Sequence, residues 1–143
     1  MSKREDVINA IFYKISRALD VPVKKNEVLP QKIPKEGIIF IRDGHMNEST
    51  IILSSPKMFI LQHIVEIEIV VQDVSSEIRD RRIDELLTQV AQVLSQDPTL
   101  TGIVDYQYPE IPEFMKETID GAQPIKAVVL PVVVEYAASM SVG

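Results

Sequence analysis

The sequence predicts an α+β domain of two layers: a mainly antiparallel sheet of about five strands with two helices packed on one face, in the order α-β-β-β-α-β-β. Three observations carry this expectation. Met58 to Asp73 alternates with a period of two and is rich in β-branched residues. Two other stretches, ending near Leu19 and near Leu94, repeat apolar residues at three- and four-residue spacing. Each helix then has one apolar stripe, and a sheet face is the surface that both can cover. The 143 residues fit one domain, 1–143, without repeats or low-complexity tracts.

Ser2-Lys3-Arg4-Glu5 matches a capping box, in which a Ser hydroxyl and a Glu three residues on satisfy orphan backbone donors. The helix that follows carries its stripe on Ile8, Ile11, Phe12, Ile15, Ala18 and Leu19. Asp20-Val21-Pro22 ends it, because the residue before a proline avoids helical geometry. Residues 20–37 hold Pro22, Pro30 and Pro34 with Lys24, Lys25, Lys32 and Lys35, which reads as a basic loop or partner-binding arm. Gly37 to Arg42 is expected as a short strand, Asp43-Gly44 as a turn with His45 at its tip, and Thr50 to Ser54 as the returning strand.

The run from Met58 to Asp73 is the structural oddity. Sixteen residues at ~3.4 Å each would reach roughly 50 Å, several times an ordinary strand. It must bend, bulge or project past its own domain. Its odd face is apolar apart from His63; its even face carries Gln62, Glu66, Glu68 and Gln72 and should meet water or a partner. Asp73, Ser75 and Ser76 offer N-caps for the second helix, with Ile83, Leu86, Leu87, Val90 and Leu94 on its stripe. Glu77–Arg81 and Arg81–Glu85 are expected pairs on its outer face.

Val104, Tyr106 and Tyr108 alternate with polar residues, so a half-buried strand is expected with the tyrosines at the core edge. Residues 109–124 form an acidic, proline-bounded loop in which Pro112 could open a helical turn through Phe114 and Met115. Ile125 to Tyr136 is apolar on both faces, as a central strand is, but Pro131 implies an edge, a bulge or a bend. Ala137 to Gly143 is expected to fray, with 138–143 as a flexible tail.

The chemistry is sparse. There is no cysteine, which removes thiolate metal sites, disulfides and cysteine nucleophiles. No glycine-rich loop precedes a helix, and no GxSxG or HExxH occurs. His45 with Asp43 and Glu48 offers at most a weak metal site, and a solvated residue is the simpler reading. Arg79, Arg81 and Arg82 could bind phosphate, but interleaved with Asp80, Asp84 and Glu85 they read as a salt-bridged surface. Glu66 and Glu68 could do acid–base work, yet His63 points to the opposite strand face. The expectation is a non-enzyme without cofactor or metal. No apolar run is long enough for a membrane helix, and the acidic start at Glu5-Asp6 does not read as a secretory signal.

Net charge is −6 and uneven: residues 1–57 hold ten basic and seven acidic side chains, residues 58–143 five and fourteen. A net acidic chain is a poor sequence-specific nucleic-acid binder. The split instead favours contact between copies, basic part to acidic part. Exposure arguments make Gln62, Glu66, Glu68 and Gln72, the arm residues Lys24, Lys25, Lys32 and Lys35, and the loop residues Phe114 and Met115 the interface candidates, and charge reversal at Glu66 and Glu68 is expected to disturb assembly with the fold intact.

Val65-Glu66-Ile67-Glu68-Ile69-Val70-Val71, a polar cap, then Ile83-Asp84-Glu85-Leu86-Leu87 through Val90 to Leu94 is similar to the middle of bacteriophage tail terminator proteins, the minor tail protein U-like or tail-completion family. Asp97 to Val104 and the closing Val132-Val133-Val134-Glu135-Tyr136 follow the same layout, so the resemblance spans residues 1–20 and 58–137. It implies a virion protein of the tail, present in host cytoplasm during assembly. Copies would form a hexameric ring on the end of the tail tube, stop tube polymerisation and present a surface to head-completion or connector proteins. The partners implied are the chain itself, the tail tube protein and those head-side proteins. The rival expectation is a small cytoplasmic ferredoxin-like binding or regulatory module with a ligand cleft.

Overall fold

Residues 2–29, 32–53, 55–115 and 124–143 are described in a computed structural model of the chain. Helix α1 spans Lys3–Ala18, capped by Ser2, whose Oγ accepts the Glu5 N–H at 3.1 Å. Its buried face is Val7, Ile8, Ile11 and Ile15, each side chain contributing about 1.5–3 kcal/mol by leaving water. Helix α2 spans Ser76–Ser95 under the Ser75 cap and buries Ile83, Leu86, Val90 and Leu94.

The strands are β1 Val23–Lys25, β2 Ile38–Ile52, β3 Met58–Gln72, β4 Tyr106–Pro109, β5 Glu113–Phe114 and β6 Ile125–Ala138. They form one six-stranded sheet, ordered β1-β2-β3-β6-β4, with β5 also on β6. Among the described strands only the β1–β2 pairing is parallel. The architecture is therefore α+β, mostly antiparallel, with both helices packed on the sheet. The odd residues of β3, the even residues of β6 and the apolar stripes of α1 and α2 make the main core. A smaller cluster of Ile33, Ile38, Phe40 and Val70 sits on the other face.

Several local expectations are corrected. Asp43-Gly44 does not turn the chain; β2 runs through it, so the two expected strands are one, and His45 is an exposed strand residue. Arg42 pairs with Glu66 and His45 with Ile64, which leaves two residues of β2 facing one of β3, a β-bulge with Gly44 at φ +64°. The bulge is pinned from outside: Asp43 N–H donates to Asn26 Oδ1 at 3.0 Å, and Asn26 Nδ2 donates to Asp43 Oδ1 at 2.9 Å. Part of the basic segment is strand β1, and its Ile33 is buried in the second cluster.

The facing of β4 is reversed. Tyr106 and Tyr108 are exposed and stacked, and Gln107 is the buried residue. The cause lies at the end of α2, whose last carbonyls need donors: Gln107 Nε2 donates to Leu94 O at 2.6 Å and Asp97 O at 3.1 Å. Phe114 lies in the short strand β5 rather than in a helical turn. Residues 116–123 of the acidic loop fall outside the described residues. The expected flexible tail is held at its ends: Ala138 closes β6, Gly143 is buried and Arg4 Nη1 donates to Val142 O, while 139–142 are exposed.

Pro131 behaves as a gap marker. Its carbonyl accepts from Glu110 at 2.8 Å, so its nitrogen also faces the outer side, between the β4 and β5 pairings, and no bond to β3 is lost. Further along, Asp97 accepts Thr101 N–H at 2.9 Å and Thr101 Oγ1 at 3.0 Å and pairs with Lys14 at 3.0 Å, which ties the α2–β4 loop to α1. The Thr101 N–H, with help from Lys14, holds the Asp97 carboxyl below its usual range.

Candidate functional site

The even face of β3 lies opposite the helices, as the alternation implies. Gln62, Glu66, Glu68 and Gln72 are half-buried there. Glu68 is tied to Arg42 at 3.0 Å, and that guanidinium also covers the Phe40 ring. His63 is on the other face, 1% exposed, so the two glutamates and the histidine share no pocket. Among the described residues no three His, Cys, Asp or Glu side chains gather as a metal site, and no helix is long and apolar enough to cross a membrane. The arginines divide: Arg79 is buried and donates to Asp73 O at 2.6 Å, whereas Arg81 meets Glu77 and Arg82 meets Glu85. The Arg81–Glu85 pair expected from spacing is replaced by Arg82–Glu85.

His63 is a structural group with a pH signature. Its Nε2 lies 2.6 Å from the Asp43 carbonyl, to which the neutral ring donates, and its Nδ1 has no partner among the described residues. Protonation would add a buried N–H without an acceptor. Burial holds its pKa below the ordinary 6.5, against the pull of Asp43 and with Arg4 and His45 adding to the lowering. Between the lowered folded value and 6.5 the unfolded chain binds more protons, so stability is full above 6.5 and declines as pH falls through that window. His63→Gln keeps an N–H for Asp43 and removes the titration. Urea midpoints between pH 7.5 and 5 should flatten in this variant; an unchanged slope would assign the pH dependence elsewhere.

The two edges of the sheet differ in character. On the β1 side Lys24 is exposed, and the segment after it exposes Glu27, Val28 (86%) and Leu29 before Ile33 is buried on the open sheet face with Lys32 and Lys35 exposed on either side of it. Lys25 is turned inward, bonded to Glu5 at 2.8 Å and Asn9 at 2.7 Å on α1, where it fastens the strand. On the β4–β5 side, Asp105, Glu110 and Glu113 are exposed, with Ile111 at 86%, Phe114 at 60% and Met115 beside it. Lys126 lies over the Phe114 ring and bonds Asp80 at 2.6 Å, which holds that ring near α2. Beyond Ile41 no described strand pairs with the outer side of β2, and its far end is apolar and exposed at Ile51, Ile52 and Leu53. Unpaired edges and exposed apolar clusters are templates for association.

The exposure of Lys24, Lys32, Lys35, Phe114 and Met115 was legible in the sequence; the inward turn of Lys25 was not. Val28, Leu29 and Ile111 were missed, although adjacent apolar residues inside a lysine- and proline-rich stretch were a signal. That Ile111 and Phe114 fall at the β4–β5 edge follows only from the strand order. No family model matches the chain, and no curated protein sequence matches it.

Proposed function

We propose that the chain is a structural protein of a phage or prophage tail, of the tail-terminator kind, acting as a hexameric ring on the end of the tail tube rather than as an enzyme. The observation that carries the reading is a pair of unlike surfaces: the segment that follows β1 exposes Lys32 and Lys35 with Val28 and Leu29, and the β4–β5 edge exposes Asp105, Glu110 and Glu113 with Ile111 and Phe114. A surface with two different complementary patches associates head to tail, and such contacts generate rings when the rotation closes. The resemblance of residues 58–137 to tail terminators supplies the biological setting. In that setting the exposed end of the β2–β3 hairpin, Ile51 to Leu53, would meet the tube or the head-side proteins.

The test is solution mass by light scattering, with negative-stain images of the same sample. Closed rings of uniform size, and tube-protein polymers that stop growing when the chain is added, are the expected results. A monomer at all concentrations, with no effect on tube length, would overturn the proposal.

A further inference from the structure

The outer side of β2 changes character at the bulge. As far as Asp43 it is closed: β1 pairs with Ile39–Ile41, Asn26 N–H donates to Ile41 O at 2.9 Å, and Asp43 N–H is taken by Asn26 Oδ1. Asn26 stands at φ +53°, just past the end of β1. From His45 to Ile52 the inner side of β2 is paired with β3, and no described strand lies on the outer side. This stretch holds no lysine and no proline, the residues that commonly blunt an edge. A row of outward backbone N–H and C=O groups is complemented by another extended backbone.

We infer that this edge pairs with the same edge of a second copy, antiparallel, about a two-fold axis at Ile51. The other edges select the occupant. β1 has three residues and β5 has two. On β4 the Gln107 N–H points away from β6 and is already bonded to Pro98 O at 2.7 Å, and Pro109 has no N–H to offer. Among the described strands β2 alone has a long open edge, so copies that join their sheets join β2 to β2. A contact between identical patches is two-fold.

Facing selects the register. Thr50, Ile51 and Ile52 lie opposite Ile60, Phe59 and Met58, and the pairing is irregular between Glu48 and Thr50. An axis at Ile51 sets Thr50 across from Ile52 of the mate, both on the sheet face away from the helices. A slip of one residue would set side chains of opposite faces together. No charged residue falls between Thr50 and Leu53, so the exposed Ile51, Ile52 and Leu53 meet their equals without repulsion.

So short a ladder is weak between separate chains, which must give up their independent motion, and strong where a ring repeats it. The inference rests on the ring reading for this strength alone. Rings free in solution are then joined in pairs through their hairpins, and they must part before a hairpin end can meet the tube or a head-side protein.

The chain has no cysteine, so one introduced thiol reports the axis. Mildly oxidised, Ile51→Cys should link to itself as a covalent dimer, since residues directly opposite in an antiparallel pair hold their Cβ atoms about 4.5–5.5 Å apart and a disulfide needs about 3.5–4.5 Å. Thr50→Cys should link to Ile52→Cys and not to itself, and Phe114→Cys, exposed on the far edge, should give no dimer. Ile51→Lys places two lysines at the axis and Thr50→Lys charges the ladder beside it; each should halve the assembly mass by light scattering with the melting temperature unchanged. Single rings of the wild type with no self-link at position 51 would overturn the edge pairing and leave the ring standing. A self-linked dimer in a sample without rings would support the edge pairing and remove the ring. Equal linking at positions 51 and 114 would mean random collision and overturn the contact.

Discussion

Gly44→Ala is expected to destabilise the fold by about 3 kcal/mol or more, a large share of the roughly 5–15 kcal/mol of an ordinary domain. Gly44 has φ +64°, where an added side chain costs about 1–2 kcal/mol. A Cβ there would also lie 1.8 Å from the Ile64 carbonyl oxygen and 3.0 Å from its carbon. That neighbour is backbone in the centre of β3, between β2 and β6, so it cannot rotate away as a side chain could. Opening the bulge to make room would disturb the Asp43 carbonyl that His63 uses and the Asn26–Asp43 pair outside. Overpacking of this kind adds about 1–3 kcal/mol. Gly102 is the control: its φ is +85° but a Cβ meets nothing within 4 Å, so Gly102→Ala should cost only the conformational part, about 1 kcal/mol. Urea unfolding measures both; the Gly44 variant should lose about 1.5 M in midpoint with an m-value of about 2 kcal/mol/M retained. A midpoint equal to that of Gly102→Ala would mean that the chain does not bulge at Gly44.

The same residue explains part of what the sequence did not disclose. Asp-Gly between two apolar runs is the strongest short hairpin signal, and the residues on either side do form strand. A left-handed glycine serves a two-residue turn and a bulge equally well; which of them forms depends on whether the partner strand is long enough to continue. Here β3 is, and it holds β2 along its whole length. The long strand was legible because alternation is a property of the segment alone, and so were both helices with their serine caps. The facing of β4 was not, because it is decided by carbonyls of Leu94 and Asp97 that come from another element. Lys25 looked like its neighbours in the arm and differs only in having Glu5 and Asn9 across from it. For the candidate surfaces, the residue types were readable as charge and exposed apolar groups. Their division between two surfaces was not, since residues far apart in sequence acquire neighbours only through the fold.

That division leads to the second large effect. Reversing the basic surface, with Lys32→Glu and Lys35→Glu, should abolish rings, and so should Glu110→Lys with Glu113→Lys on the β4–β5 edge. A single exposed ion pair is worth about 0.2–1 kcal/mol, but facing like charges cost several kcal/mol, and a ring repeats the penalty at every junction. Each variant should be a monomer with unchanged thermal unfolding, because all four side chains are exposed. Mixing the two should restore association. The first variant is acidic on both edges and the second basic on both, so every junction of an alternating ring is complementary. Alternation closes only with an even number of copies. A hexamer satisfies this, and light scattering of the equimolar mixture should return the wild-type mass. A ring with an odd number of copies would leave one repulsive junction, and the mixture would stall as open chains. Rising salt should weaken the wild-type ring, since the screening length falls from about 8 Å at 0.15 M to about 3 Å at 1 M. If either variant alone kept wild-type mass, the charged edges would not be where copies meet, and the exposed hairpin end at Ile51 to Leu53 would become the surface to examine.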